Sequence, residues 1–306
     1  MNNPKFTITI PTKNRLSELK LTLQKISHLI ERKEVICLIC DDGSTDGTFE
    51  YITLNFPKIK IFRNQVSKGI HFTRNVLLNN VSTPFILSID DDAHIVTKNI
   101  LEDIENYFKE NRKLGLLSFR AFWNKNNPVS IETNQKPEQV KSFGAVSFAM
   151  RTEAWKSIPN FPEWFVFYGE EDFAAFQLFK KDWQIYYLPQ VLVHHRVNVK
   201  DRKKNKDYRL RLRRSLRSGW YLYILFYPLK IIPKKFIYTL YIQIKTKVMK
   251  GDIKAFLAII QALFDVVFSI PRLLKNSNRL TYQEFVTYKR LSDAKLYWTP
   301  ENDKKI

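Results

Sequence analysis

Val35-Ile-Cys-Leu-Ile-Cys-Asp-Asp-Gly-Ser-Thr-Asp-Gly47 is the stretch whose reading decides the fold. Its unbroken apolar run reads as a buried strand, and it ends in two carboxylates and a glycine-bearing turn, after which Asp46 to Asn55 reads as a short helix. Cys37 and Cys40, the only two cysteines, both lie inside the run. Residues three apart on a strand point to opposite faces, so the pair reads as core packing rather than as a zinc or redox motif.

The same rhythm extends on both sides. Phe6 to Ile10 reads as a strand and Arg15 to Ile30 as a helix, with Leu16, Leu19, Leu23, Ile26 and Ile30 at helical spacing. Lys60 to Arg63 and Pro84 to Ile89 read as strands, Gly69 to Asn80 and Lys98 to Asn111 as helices. Strand alternating with helix over short connections predicts an α/β fold, a mostly parallel sheet with helices on both faces. From Leu114 the pattern turns strand-like (Leu116 to Phe122, Phe143 to Met150), interrupted by a long polar loop from Asn124 to Lys141. A helix over Glu171 to Lys181 and apolar runs at Ile185 to Leu188 and Val191 to His195 follow.

The 306 residues carry a net charge of +20, but the charge is not spread evenly. Residues 1–195 hold 24 basic and 22 acidic side chains, and residues 196–306 hold 26 and 8. The expected organisation is therefore a nearly neutral α/β unit, 1–195, followed by a basic, mostly helical region, 196–306. Basic residues there alternate with apolar and aromatic runs and no nucleic-acid-binding motif occurs, so an anionic membrane surface is the expected partner and nucleic acid is not. Trp220 to Leu229 is too short to span a bilayer, which needs about 20 residues. In Ala255 to Ile270, Gln261, Asp265 and Ser269 recur every fourth residue as a polar stripe, an interfacial pattern in which Trp220 and the tyrosines are expected at the headgroup level. The N-terminus shows no apolar stretch of signal-peptide length, so the expected location is cytoplasmic, peripheral at the inner face of the cell membrane.

Chemistry is expected where parallel strands end, because open α/β sheets bind ligands outside those ends. Asp41 and Asp42 follow one strand, and Asp90, Asp91 and Asp92 follow another. Three consecutive carboxylates repel one another, and a divalent ion bridging them to a diphosphate would satisfy them. A solvated turn or a helix cap is the alternative for either cluster alone.

In order and spacing, Ile8-Thr-Ile-Pro-Thr-Lys-Asn-Arg15, Cys40-Asp-Asp-Gly-Ser-Thr-Asp-Gly-Thr48, Ser67-Lys-Gly-Ile-His-Phe-Thr-Arg-Asn75 and Phe85-Ile-Leu-Ser-Ile-Asp-Asp-Asp92 resemble family 2 glycosyltransferases. The resemblance continues through Gly144 and Tyr168-Gly-Glu-Glu-Asp172 to His194-His195, covering about residues 5–195. It implies the GT-A fold, a nucleotide-sugar donor, Mg2+ or Mn2+, and inversion at the anomeric carbon. It places Pro11, Thr12, Asn14 and Arg15 beside the nucleoside, with Asp41 or Asp42 facing base and ribose and Lys68 and Arg74 close to the nucleotide. Asp90 and Asp91 fall in its nucleotide-binding carboxylate motif, Asp92 would hold the metal, and His195 rather than His194 would join it. Asp172 is assigned as the base that deprotonates the acceptor hydroxyl, with Glu171 as runner-up. Gln177 and Asp182 depart from the family's usual residues near the acceptor side. Relatives with a basic, aromatic C-terminal segment commonly build cell-surface polysaccharides, which implies a glycan or lipid-linked acceptor. Two rivals are a nucleotidyltransferase and a non-catalytic glycan- or lipid-binding module. The first would usually carry a glycine-rich loop that Pro11 to Arg15 lacks, and the second would not need both acidic clusters.

Overall fold

A computed structural model describes residues 3–197 and 207–300. The strands are β1 (Phe6–Thr12), β2 (Val35–Asp41), β3 (Lys60–Arg63), β4 (Phe85–Ile89), β5 (Ala93–Ile95), β6 (Leu114–Trp123), β7 (Glu138–Val140), β8 (Ser147–Arg151) and β9 (Gln184–His195). They form one sheet in the order β3-β2-β1-β4-β8-β6-β9-β5, with β7 on β9. The half from β3 to β4 is parallel; β8 then runs antiparallel to both β4 and β6, and β6 and β9 are parallel again. The two apolar runs near residue 190 are one strand: its pairing with β6 jumps from Phe119↔Leu188 to Arg120↔Leu192, and Pro189, which has no N–H to donate, sits in the bulge.

The helices along this sheet are α1 (Leu16–Lys25), α2 (Ser27–Ile30), α3 (Thr48–Asn55), α4 (Ile70–Asn79), α5 (Ile100–Glu110), α6 (Thr152–Lys156) and α7 (Glu170–Lys180). Alternation along β2 shows how both faces are covered. Cys37 and Ile39 join α1, α2 and α5 in one apolar cluster, whereas Leu38 and Cys40 join α4, α6 and α7 in the other. Both cysteines are unpaired, and burial pushes each thiol up to about 12, so they pack rather than react.

The C-terminal helices are α8 (Tyr208–Phe226), α9 (Ile232–Thr246), α10 (Ile253–Lys275) and α11 (Tyr282–Arg290). Of the basic run from Lys200 to Arg214, residues 200–206 lie outside the described residues. A third apolar cluster joins Phe173 and Phe176 of α7 to Phe226, Ile259 and Tyr288, and the Phe176 ring stacks on both Phe226 and Tyr288. One expectation is corrected here. Trp220 is 1% exposed, packed on Phe236 with its indole N–H donated to Thr239, so it is a core residue and not an interfacial one. The polar stripe of α10 faces inward: Asp265 accepts from Arg213 at 2.7 and 2.6 Å, and Ser269 shares a 2.6 Å hydrogen bond with the Tyr221 hydroxyl.

Candidate active site

The register that pairs Thr12 with Asp41 brings the ends of β1 and β2 together, and β4 beside β1 delivers Asp90 to the same edge. The first loop is fastened to the second through Asn14, whose φ of 49° is left-handed: its N–H donates to Ser44 Oγ at 2.8 Å and its Oδ1 accepts from Thr45 N at 2.7 Å. Asp41 is fully buried and accepts from Ser44 N at 2.9 Å. Asp42 turns the other way and accepts from Asn64 Nδ2, Ser67 Oγ and the backbone N–H groups of Lys68 and Gly69, all within 2.9 Å. Burial opposes its charge, but those four donors win and its pKa falls below the ordinary carboxylate value. Gly43 makes this crossing feasible, because a Cβ there would sit 3.1 Å from Ser67 N at a φ of +74°. Asp42 thus fixes the loop entering α4, and Asp41 is the one of the pair left at the strand end. Lys68 lays its ammonium over the Phe72 ring at 4.3 Å.

Three adjacent carboxylates coexist because each is met by an arginine, Arg74 at Asp90 and Arg15 at Asp91 and Asp92. Asp90 accepts from Arg74 Nη2 at 2.8 Å. Asp91 accepts from Thr12 Oγ1 at 2.8 Å and from Arg15 at 3.2 Å, while burial still pushes its pKa up to about 7. Asp92 contacts Arg15 and lies 2.9 Å from His195 Nε2. Burial penalises its charge too, yet His195 and Arg15 outweigh that and hold it down to about 2. Thr22 of α1 anchors the backbone of this turn, donating to Asp91 O at 2.6 Å and to Ala93 O at 3.0 Å.

Strand alternation separates the two histidines. β5 runs antiparallel to β9 with Ala93 opposite His195 and His94 opposite His194, so the two imidazoles take opposite faces. His195 meets Asp92 and packs on Trp123 with ring centroids 4.1 Å apart, whereas His194 reaches Asn124 O at 2.8 Å and packs on Phe122. Donor atoms of Asp90, Asp92 and His195 lie within 4.8 Å of one another. Asp92 Oδ1, buried and without a hydrogen-bond donor of good geometry, points into that group. Two carboxylates and one imidazole suit a small divalent cation such as Mg2+ or Mn2+.

On the other wall, Gly169 starts α7 at a φ of +85°, and a Cβ there would meet Ser218 at 3.0 Å. Glu170, Glu171 and Asp172 fill the first turn, where the helix dipole favours negative charge. Glu170 is consumed by structure: it takes Arg74 Nη1 at 2.7 Å and lies 3.0 Å from His71 Nε2. Burial opposes its ionisation, but these partners bring it down to about 2. Burial together with the Glu170 charge raises the Glu171 pKa well above the ordinary value, against the pull of Arg74 and of its own backbone N–H. Asp172 accepts from Ser142 Oγ at 2.6 Å, is exposed to solvent at the wall, and is raised by the surrounding protein against the pull of that hydrogen bond. Its openness to water limits that rise.

Arg74 spans the two walls, holding Asp90 with one nitrogen and Glu170 with the other. The C-terminal helices complete the second wall: Tyr288 donates to Lys141 O at 2.7 Å, next to Ser142, and burial together with the Asp172 charge raises the Tyr227 and Tyr288 hydroxyls. Thr22, His71 and Ser142 carry no sequence sign of a role in the site, because their partners are brought to them by tertiary packing alone.

The family model described as Glycosyl transferase family 2 matches residues 7–167. The chain belongs to glycosyl transferase family 2. Two Escherichia coli proteins, WfaP and WfgD, each a UDP-Glc:alpha-D-GlcNAc-diphosphoundecaprenol beta-1,3-glucosyltransferase, are 28% and 32% identical over 115 and 75 residues. Those segments cover 37% and 24% of this chain and 44% and 30% of the relatives, so less than half of either relative is matched. Among solved structures, the mannosyltransferase PcManGT of Pyrobaculum calidifontis with GDP-Man and Mn2+ matches at a TM-score of 0.56 and 14% identity, over 95% of this chain and 80% of that one. S. aureus TarS 1-349 with UDP-GlcNAc matches at 0.57 and 18%, over 89% and 84%. At those identities the structural likeness speaks for the GT-A fold.

Proposed function

We propose that this family 2 glycosyltransferase moves a sugar from a nucleotide-sugar donor to a hydroxyl of a lipid-diphosphate-linked glycan, inverting the anomeric centre, at the inner face of the cell membrane. One observation carries the reading: the cation-binding set of Asp90, Asp92 and His195 and the acidic start of α7 face each other across a span bridged by the Arg74 side chain. The relatives' names, which specify a UDP-sugar and a diphosphoundecaprenol-linked acceptor, support the choice of substrate class.

In this proposal Pro11, Thr12, Asn14, Arg15 and Asp41 form the nucleoside side of the site. Asp42 acts indirectly by shaping the loop around Lys68, and Asp91 orients Thr12 and Arg15. Asp90, Asp92 and His195 would hold Mg2+ or Mn2+, which when bound neutralises charge on the leaving diphosphate. Asp172 serves as general base: Ser142 fixes one of its oxygens, its carboxylate is open to an arriving hydroxyl, and its pKa rises in the direction a base requires. Glu171 is less suited, since it is less open to solvent than Asp172 and has no hydroxyl like that of Ser142 to orient it. Residues 1–195 would carry the chemistry and 196–306 the membrane association, while α8 and α11 also wall the acceptor side.

The test is nucleoside diphosphate release. Asp172→Asn should lower acceptor-dependent release by about 100-fold or more while donor binding stays intact; turnover unchanged in Asp172→Asn and lost in Glu171→Gln would move the base to Glu171.

A further inference from the structure

The helix α10 is apolar on both its buried and its outer face. Its 23 residues are long and apolar enough to cross a bilayer, yet its buried face sets its polar groups and small residues among Ile259, Val266 and Leu273: Asp265 bound to Arg213, Ser269 bound to Tyr221, and Ala255, Ala258 and Ala262. Its largest apolar side chains look outward. Phe268 is 80% exposed, Ile253 73%, and Phe264 and Val267 58% each; with Phe256 and Ile260 they recur every three to four residues as one stripe. A helix serving only a water-soluble fold would place its phenylalanines on α8 and its aspartate outside.

The neighbouring helix repeats the pattern. Ile237, Tyr238, Tyr241 and Ile244 of α9 are exposed on one face. Charge around both stripes has a single sign: Lys234, Lys245, Lys250, Lys254, Arg272 and Lys275 are exposed. Only two acidic residues occur from Ile232 to Lys275, Asp252 and Asp265, and both are engaged, Asp252 accepting from Ala255 N and the Tyr208 hydroxyl. Exposed apolar stripes bordered by cations complement an anionic lipid surface, with the apolar side chains in the acyl boundary and the lysines at the phosphates.

We infer that the outer faces of α9 and α10 form a monotopic membrane seat, in which Phe256, Ile260, Phe264, Val267 and Phe268 enter one leaflet of an anionic bilayer while α10 stays docked on α8. Spanning is ruled out by the Arg213–Asp265 pair and the Tyr221–Ser269 hydrogen bond, which hold the middle of α10 against the globular body. The membrane-borne acceptor proposed above gives this seat its purpose, but the stripe and its charge stand without it.

The experiment is flotation of the full chain with vesicles of phosphatidylcholine alone or mixed with phosphatidylglycerol. Binding should favour the anionic vesicles and weaken with salt, and a Phe264→Ser/Phe268→Ser double variant should partition at least about tenfold less with thermal midpoint and donor binding unchanged. Equal binding by the double variant, or no binding by the natural chain, overturns the inference. So does a natural chain that is dimeric by light scattering and made monomeric by the double variant, which would give the face to a second copy. Asp92→Asn should float like the natural chain, so a failed transferase reading and a failed membrane seat are told apart.

Discussion

Replacing Arg74 with Met should destabilise the protein far more than a typical surface change, and the loss should be largely reversible by a second substitution. Arg74 is 5% exposed and gives one nitrogen to Glu170 at 2.7 Å and the other to Asp90 at 2.8 Å and Ala145 O at 3.2 Å. Truncating one partner of a buried ion pair leaves an uncompensated charge and costs about 3–5 kcal/mol. Glu170, with 7% of its side chain exposed, is that charge here, while Asp90 at 23% can recruit water. At roughly 2–3 °C per kcal/mol for a chain of this size, the thermal midpoint should fall by roughly 6–15 °C. In Arg74→Met/Glu170→Met the orphaned carboxylate is gone, and apolar replacement of a buried pair is often close to neutral, so more than half of the loss should return. Donor binding should stay weak in both, because Asp90 has lost the group that aims it. Urea and thermal unfolding with calorimetric donor titration of all three proteins form the assay. A single variant that loses less than about 1 kcal/mol, or a double variant no more stable than the single, would refute the view that this network joins the two walls.

Other consequences follow from the same geometry. The folded Glu170 carboxyl sits at about 2 against an ordinary 4.5, so its stabilising contribution is complete above pH 4.5 and is lost as pH falls toward 2; Glu170→Gln should show a shallower loss of stability across that window in acid titrations. Removing the Ser142 hydroxyl with Ser142→Ala leaves Asp172 without its 2.6 Å donor, and should lower turnover about tenfold with donor affinity unchanged, as read by steady-state release assays. Gly43→Ala, which forces a Cβ to 3.1 Å from Ser67 N at a positive φ, should cost about 1–3 kcal/mol in urea unfolding.

The parallel half of the sheet and the placement of its acids were legible because both depend on local pattern: an apolar run followed by Asp41-Asp42 or by Asp90 to Asp92 marks a strand end wherever the strand lies. The choice of His195 over His194 needed one more fact, the antiparallel pairing of β5 with β9, which sets which imidazole meets Asp92. Asp42 could not be separated from Asp41 by sequence, since only the fold shows four donors from Asn64 to Gly69 closing around it. The network of His71, Arg74 and Glu170 joins α4 to α7 across about a hundred residues and leaves no periodic trace. The direction of the α10 stripe is hidden for a related reason. Periodicity shows that Gln261, Asp265 and Ser269 share a face, but only the arginines of α8 decide that this face points in.

The central claim is that Asp90, Asp92 and His195 make donor binding depend on a divalent cation. Calorimetric titration of UDP- and GDP-sugars into the natural chain and into Asp92→Asn, each with Mn2+ and with EDTA, tests it most directly. The expected result is binding of at least one donor by the natural chain with Mn2+, lost in EDTA and lost in Asp92→Asn. Donor binding of equal strength in EDTA, or in Asp92→Asn with Mn2+, would contradict it.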